Sequence, residues 1–131
     1  MPTTGRGDVL GSVELTGEAA SVSYARSWVK GVLGAGHPAV ENVMLIVSEL
    51  VTNSIRHSRS GQGGRIRVAI TEGDGLVHGD VTDEGGESVP RVCRNPEGEG
   101  GRGMFLVEQI AQEWGFHDDA AGRVVWFTVK Y

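Results

Sequence analysis

Glu49-Leu50-Val51-Thr52-Asn53-Ser54-Ile55-Arg56-His57 is the stretch on which the reading of this chain turns. Glu49, Asn53 and His57 recur every fourth residue, which puts them on one face of a helix, with Thr52 and Arg56 at its margins. The opposite face is apolar: Val40, Val43, Met44, Val47, Leu50 and Val51 keep a 3.6-residue period that runs on through Ser54 and Ile55. Pro38 suits the first turn of that helix. Taken alone, the polar stripe reads as the solvated side of an amphipathic helix, and His57 as a residue favoured by the dipole at a helix C-terminus. What lies downstream changes the balance.

After a Ser/Gly-rich break at 58–64, Arg65 to Thr71 alternates, with Ile66, Val68 and Ile70 on one side, the pattern of a half-buried strand. Glu72 to Gly75 is a turn around Gly73-Asp74-Gly75, and Leu76 to Asp83 reads as the returning strand of a hairpin. The strand ends in Asp83-Glu84-Gly85-Gly86, a carboxylate beside glycines, where a ligand amine could be accepted and backbone approached closely. Glu84 to Gly100 carries glycines, Pro90 and Pro96 and keeps no period, so it reads as a functional loop. Gly98-Glu99-Gly100-Gly101-Arg102-Gly103 then leads into a helix over Gly103 to Glu113. Glycines ahead of a helix expose N–H groups that bind phosphate, and Arg102 can add a charge-assisted bond. The glycines also spell G-x-G-x-x-G, but no strand precedes them and no βαβ unit follows, so a dinucleotide fold is rejected; the Lys-Ser/Thr ending of a P-loop is absent too. Strands at Trp114 to His117 and Val124 to Tyr131 complete the pattern.

Upstream, Ser12 to Leu15 reads as a short strand and Glu18 to Leu33 as a helix stopped by Gly34 and Gly36. Residues 1–11 read as a flexible leader and 12–131 as one domain, the count that 131 residues favour. With 39% hydrophobic residues the chain can bury a modest core. A net charge of -5 argues against a nucleic-acid footprint. Cys93 is alone, which excludes an internal disulfide or thiolate zinc site, and no signal-peptide core or membrane-length apolar run is present. The expected location is the cytoplasm, with no membrane contact. The expected fold class is α+β, a two-layer α/β sandwich with helices on one face of a mixed, mostly antiparallel sheet.

Each motif is weak by itself, whereas their order is specific. Glu-x-x-x-Asn on a helix, Asp-x-Gly after a hairpin strand, then Gly-x-Gly before another helix resembles the GHKL superfamily of ATP-binding domains, which share the Bergerat fold. Glu49 to His57 is similar to the Asn box of the RsbW-like anti-sigma factor serine/threonine kinases. Asp83-Glu84-Gly85 resembles their first glycine box and Gly101 to Val107 their second; Trp114-Gly115, Gly122 and Val125-Trp126-Phe127 match their tail. The likeness runs from about Val13 to the C-terminus.

The resemblance implies ATP and Mg²⁺ as ligands. It implies that Asn53 holds the metal and that Glu49 is the general base. It implies that Asp83 accepts from the adenine amine with Gly85 admitting the base, and that Gly101, Arg102, Gly103 and Met104 lie at the phosphates. The segment 84–100 would cover ATP. The implied partners are a STAS-type anti-sigma factor antagonist, as phospho-acceptor, and a sigma factor; a homodimer is also compatible with the family. At 131 residues a complete sensor histidine kinase with its own phospho-acceptor helix is not expected. One departure stands out: Arg123, Val124 and Val125 follow Gly122 where many members carry a Thr. Three functions remain open here: a protein kinase resting on Glu49, a nucleotide-binding regulatory module acting by contact alone, and a simple ATP hydrolase, which would call for a coupled transducer domain.

Overall fold

The computed structural model describes residues 8–58, 61, 63–86, 102–120 and 122–131. Among these residues the chain forms β1 (Asp8–Thr16), α1 (Ala20–Leu33), α2 (Val40–His57), β2 (Arg65–Gly73), β3 (Leu76–Asp83), α3 (Arg102–Ile110), β4 (Glu113–Asp119) and β5 (Gly122–Lys130). The five strands lie in the order β1-β2-β3-β5-β4, and each neighbouring pair is antiparallel. The expected α+β layering on a mostly antiparallel sheet is therefore present, and among the described residues every neighbouring pair is antiparallel.

Alternation drives this arrangement. Ile66, Val68 and Ile70 of β2, Val77 and Val81 of β3, and Val125, Phe127 and Val129 of β5 are buried, while Arg65 and Arg67 between them are exposed. Those side chains share one core with Ala25 and Val29 of α1, Val43, Ile46, Val47, Leu50 and Val51 of α2, and Met104 and Val107 of α3. Each fully buried aliphatic side chain contributes roughly 1.5–3 kcal/mol. Phe127 lies over Gly79 so closely that a Cβ there would come within 2.4 Å of its ring. Trp126 instead faces away from the helices, stacked on His78 with ring centroids 6.2 Å apart.

Most element boundaries differ from the sequence expectation by a few residues, β5 for instance starting at Gly122 where Val124 was expected, and three of the shifts are instructive. β1 starts at Asp8, taking in Asp8–Gly11, which composition had assigned to the leader; residues 1–7 lie outside the described residues. The extension is held by pairing with Glu72, Thr71 and Ile70 across an irregularity between Val9 and Gly11, and backbone pairing leaves no mark on composition. α2 starts at Val40, two residues after Pro38, with Ala39 as its N-cap residue and the Ala39 N–H donated to His37 Nδ1 at 3.0 Å. α3 stops at Ile110 because Gln112 already donates to the Thr128 carbonyl (2.7 Å), which feeds the chain into β4.

The β2–β3 turn has φ of 58° at Asp74 and 74° at Gly75, the two positive values of a type I′ turn. Beside it, His37 Nε2 donates to Glu72 Oε2 (2.7 Å), the Tyr131 hydroxyl donates to the same carboxylate, and the His37 and Tyr131 rings meet edge to face. With Nδ1 accepting from Ala39, this is the Nε2–H tautomer. These contacts lower the Glu72 pKa below its ordinary value, the Tyr131 bond being the larger cause, and raise that of Tyr131. Among the described residues no helix is long and apolar enough to cross a membrane.

Candidate functional site

The opposite end of the sheet is built around Asp83, the last residue of β3. Its side chain belongs to the helix-facing set of that strand, so the pleat turns a carboxylate inward at the rim of an apolar core, and only 7% of the residue stays exposed. Burial of this kind requires partners. Ser54 of α2 donates its hydroxyl to Oδ2 at 2.6 Å, and the Gly85 N–H donates to Oδ1 at 2.7 Å. Gly85 is buried with φ of 75°, a left-handed conformation that glycine adopts without strain. The next residue is tethered too, since the Arg65 N–H donates to Glu84 Oε2 at 2.9 Å.

β5 closes the other side. Gly122 packs so tightly on this segment that a Cβ would lie 1.9 Å from the Asp83 carbonyl oxygen. Arg123 is the strand partner of Asp83 and is 8% exposed. Its Nε donates to Asp118 Oδ1 (2.7 Å), Nη2 reaches the Gly86 carbonyl (3.4 Å), and its guanidinium carbon lies 5.7 Å from the centre of the Phe116 ring. The Asp118 bond raises the Arg123 pKa, and the same bond lowers that of Asp118. The position after Gly122, where the superfamily pattern has Thr, is thus filled by a guanidinium.

α2 supplies the third wall. Glu49 and Asn53 are half-buried one turn apart, and Glu49 rests against the start of α3: a Cβ on Gly103 would come within 2.7 Å of its Oε1. The glycine therefore leaves room for that carboxylate. Met104 follows with its side chain buried in the core (1% exposed), so a contact from it to a ligand would come from its backbone. Gly101 and the rest of segment 87–101, Cys93 included, lie outside the described residues, as does the Arg102 side chain.

The donors present suit an adenine nucleotide and a hard cation. Asp83 has one internal donor on each oxygen, and each carboxylate oxygen has a second lone pair, which leaves capacity for a ligand amine. Among the described residues no group of three His, Cys, Asp or Glu side chains is gathered for a metal. The oxygen donors at this wall are the Glu49 carboxylate and Asn53 carboxamide, the class that Mg²⁺ takes alongside phosphate and water.

The structure thus gathers Glu49 with Gly103, and Asp83 with Gly85, around α2. His57 and Arg56 are exposed at the end of the helix. The sequence reading passed over three participants: Ser54, Gly122 as a packing position, and Arg123 as a partner of this segment. Ser54 carried a signal, being a polar residue on the apolar face of α2, where a buried hydroxyl needs a partner. The contacts of Gly122 and Arg123 depend on β5 lying next to β3, which local pattern does not encode.

The family model described as a histidine kinase-like ATPase domain matches residues 15–129. No curated protein sequence matches the chain. Among solved structures, the chain is similar to the histidine kinase domain from Erythrobacter litoralis EL346 blue-light activated histidine kinase, at 19% identity and a TM-score of 0.48; the match covers 85% of this chain and 59% of that one. The matched span runs from β1 through β5 and takes in every element around Asp83, so the chain belongs to the histidine kinase-like ATPase domain family.

Proposed function

We propose that this domain binds ATP with Mg²⁺ in the cytoplasm and acts as an RsbW-like serine/threonine protein kinase on an anti-sigma factor antagonist, with a sigma factor as a second binding partner. The observation that carries the reading is the placement of Glu49: a carboxylate on the α2 face that also bears Asn53, set against the N-terminus of α3. Asp83, fixed by Ser54 and Gly85, would accept from the adenine amine. The α3 N-terminus would offer N–H groups to phosphate, and Asn53 would hold the metal, whose chemistry there is neutralisation of phosphate charge. Glu49 would take the proton from the incoming Ser or Thr hydroxyl.

The test is incubation with Mg-ATP and the cognate antagonist, wild type beside Glu49→Ala. Phosphate transfer to a Ser or Thr, lost by about 10²–10⁴-fold in the variant while ATP binding persists, is the expected result. Bound ATP without transfer to any antagonist would refute the kinase assignment. Full regulatory activity in Glu49→Ala would favour a module that acts by contact alone.

A further inference from the structure

The nucleotide reading assigns Asp83 a role but leaves open what makes its carboxylate selective. We propose that Ser54 is a positioning residue that determines purine specificity, by locking Asp83 as an acceptor for an amine at the six-position of the base; this rests on the nucleotide-binding reading above.

Four observations support it. Ser54 stands on the buried face of α2 among Val47, Leu50 and Val51, where an aliphatic side chain would serve the core better. Its hydroxyl donates to Asp83 Oδ2 at 2.6 Å. Gly85 holds the other oxygen, so the carboxylate is fixed at both ends of its rotation. Gly122 braces the Asp83 backbone from the far side, which leaves the carboxylate plane as the remaining freedom, and Ser54 removes it.

The chemistry of selection follows. A carboxylate whose two oxygens already receive donors from the protein offers only lone pairs to a ligand. Adenine presents an N–H there and is accepted. A six-oxo purine presents another lone pair and is repelled, and such an unpaired buried contact is what gives hydrogen-bonding sites their discrimination. Without the Ser54 hydroxyl the carboxylate can turn out of line with the base, which weakens the amine contact while a six-oxo purine, which makes no such bond, loses little.

The experiment compares ATP with inosine triphosphate, its six-oxo counterpart, by calorimetric titration or competition on the whole chain. The proteins are wild type, Ser54→Ala, Ser54→Thr, Asp83→Asn and the Ser54→Ala/Asp83→Asn double variant. Ser54→Ala is expected to fold, since Ala favours a helix interior over Ser. It should bind ATP about tenfold more weakly, with inosine triphosphate changed by less than about twofold, so that the preference narrows by roughly the factor lost. Ser54→Thr, which keeps the hydroxyl, should restore most of the preference. In the Asp83→Asn background Ser54→Ala should have no further effect on the ratio, since the two residues act as one unit. Equal weakening of both nucleotides, or a Ser54→Ala effect that persists undiminished with Asn at 83, shows a merely structural role and overturns the assignment while the nucleotide reading stands. A wild type that binds neither nucleotide overturns both.

Discussion

Gly122→Ala adds one methyl group, and the structure says where it goes. An ideal Cβ would stand 1.9 Å from the Asp83 carbonyl oxygen, 3.0 Å from its carbon and 3.2 Å from the Glu84 Cα. Ordinary contact needs about 3.5 Å, so β5 and the end of β3 must separate by roughly 1.5 Å. The obstacle is backbone on a paired strand and cannot swing aside. The glycine also has φ of 136°, a region L side chains rarely adopt, at a strain of about 1–3 kcal/mol. Overpacking adds about 1–3 kcal/mol. With some relaxation, a net loss of about 3 kcal/mol is expected, which for a domain of this size lowers Tm by about 10–15 °C. Because the displaced carbonyl belongs to Asp83, ATP binding should weaken beyond what partial unfolding explains. Far-UV circular dichroism melts and calorimetry on the same preparations measure both, with Gly36→Ala as control, since a Cβ there meets nothing within 4 Å. A Gly122→Ala Tm within about 3 °C of wild type would refute the packing argument. Normal ATP affinity in a destabilised variant would refute the link to Asp83.

Two further substitutions probe other parts of the molecule. Gly103→Ala should leave stability unchanged or raise it by up to about 1 kcal/mol, as glycine disfavours a helix. Its methyl would push on Glu49 Oε1, and if Glu49 is the base proposed above, a displacement of about 1 Å lowers phosphoryl transfer by about 10²-fold; single-turnover transfer rates equal to wild type, with ATP affinity measured separately, would refute this. At the far end of the sheet, the depressed Glu72 pKa means that the folded form favours the carboxylate. The stability this provides is present above the unfolded value of about 4.3 and fades as pH falls through the lower folded value. Denaturant titrations from pH 7 to pH 3 should show a shallower acid loss for Glu72→Gln than for wild type, and identical slopes would discount the His37–Glu72–Tyr131 cluster.

How much of this was readable beforehand depends on the range of the forces involved. The β2–β3 hairpin was legible because alternation and a Gly-Asp-Gly turn are local, and β3 begins at Leu76 and ends at Asp83 as its pattern suggested. α2 was legible for the same reason, save that its first helical residue is Val40, two residues past Pro38. The sheet order was not legible, since β5, a local hairpin partner of β4, also pairs with β3, distant in sequence. At the candidate site, the order of motifs singled out Glu49, Asn53, Asp83 and Gly85, and the structure sets Glu49 beside Gly103 and Asp83 beside Gly85. That order did not reveal that Met104 turns its side chain into the core. Nor did it show that Trp126 faces outward while its neighbour Phe127 fills the interior.

The position of β5 has a consequence for how the chain assembles. α2 and the β2–β3 hairpin can form from contacts close in sequence, on the microsecond scale of such elements. Asp83 meets Arg123 only after about 40 intervening positions have been drawn into a closed loop, an entropic toll that must be met before the new strand pairing compensates it. The Ser54–Asp83 contact spans 29 residues and is non-local too, so both halves of the binding end, Ser54 with Asp83 and Gly122 on β5, are complete only once α2 and the β4–β5 hairpin have docked on β3. A ligand that needs both halves would recognise the finished domain and ignore its precursors, so its capture during refolding would time the final zippering of the sheet.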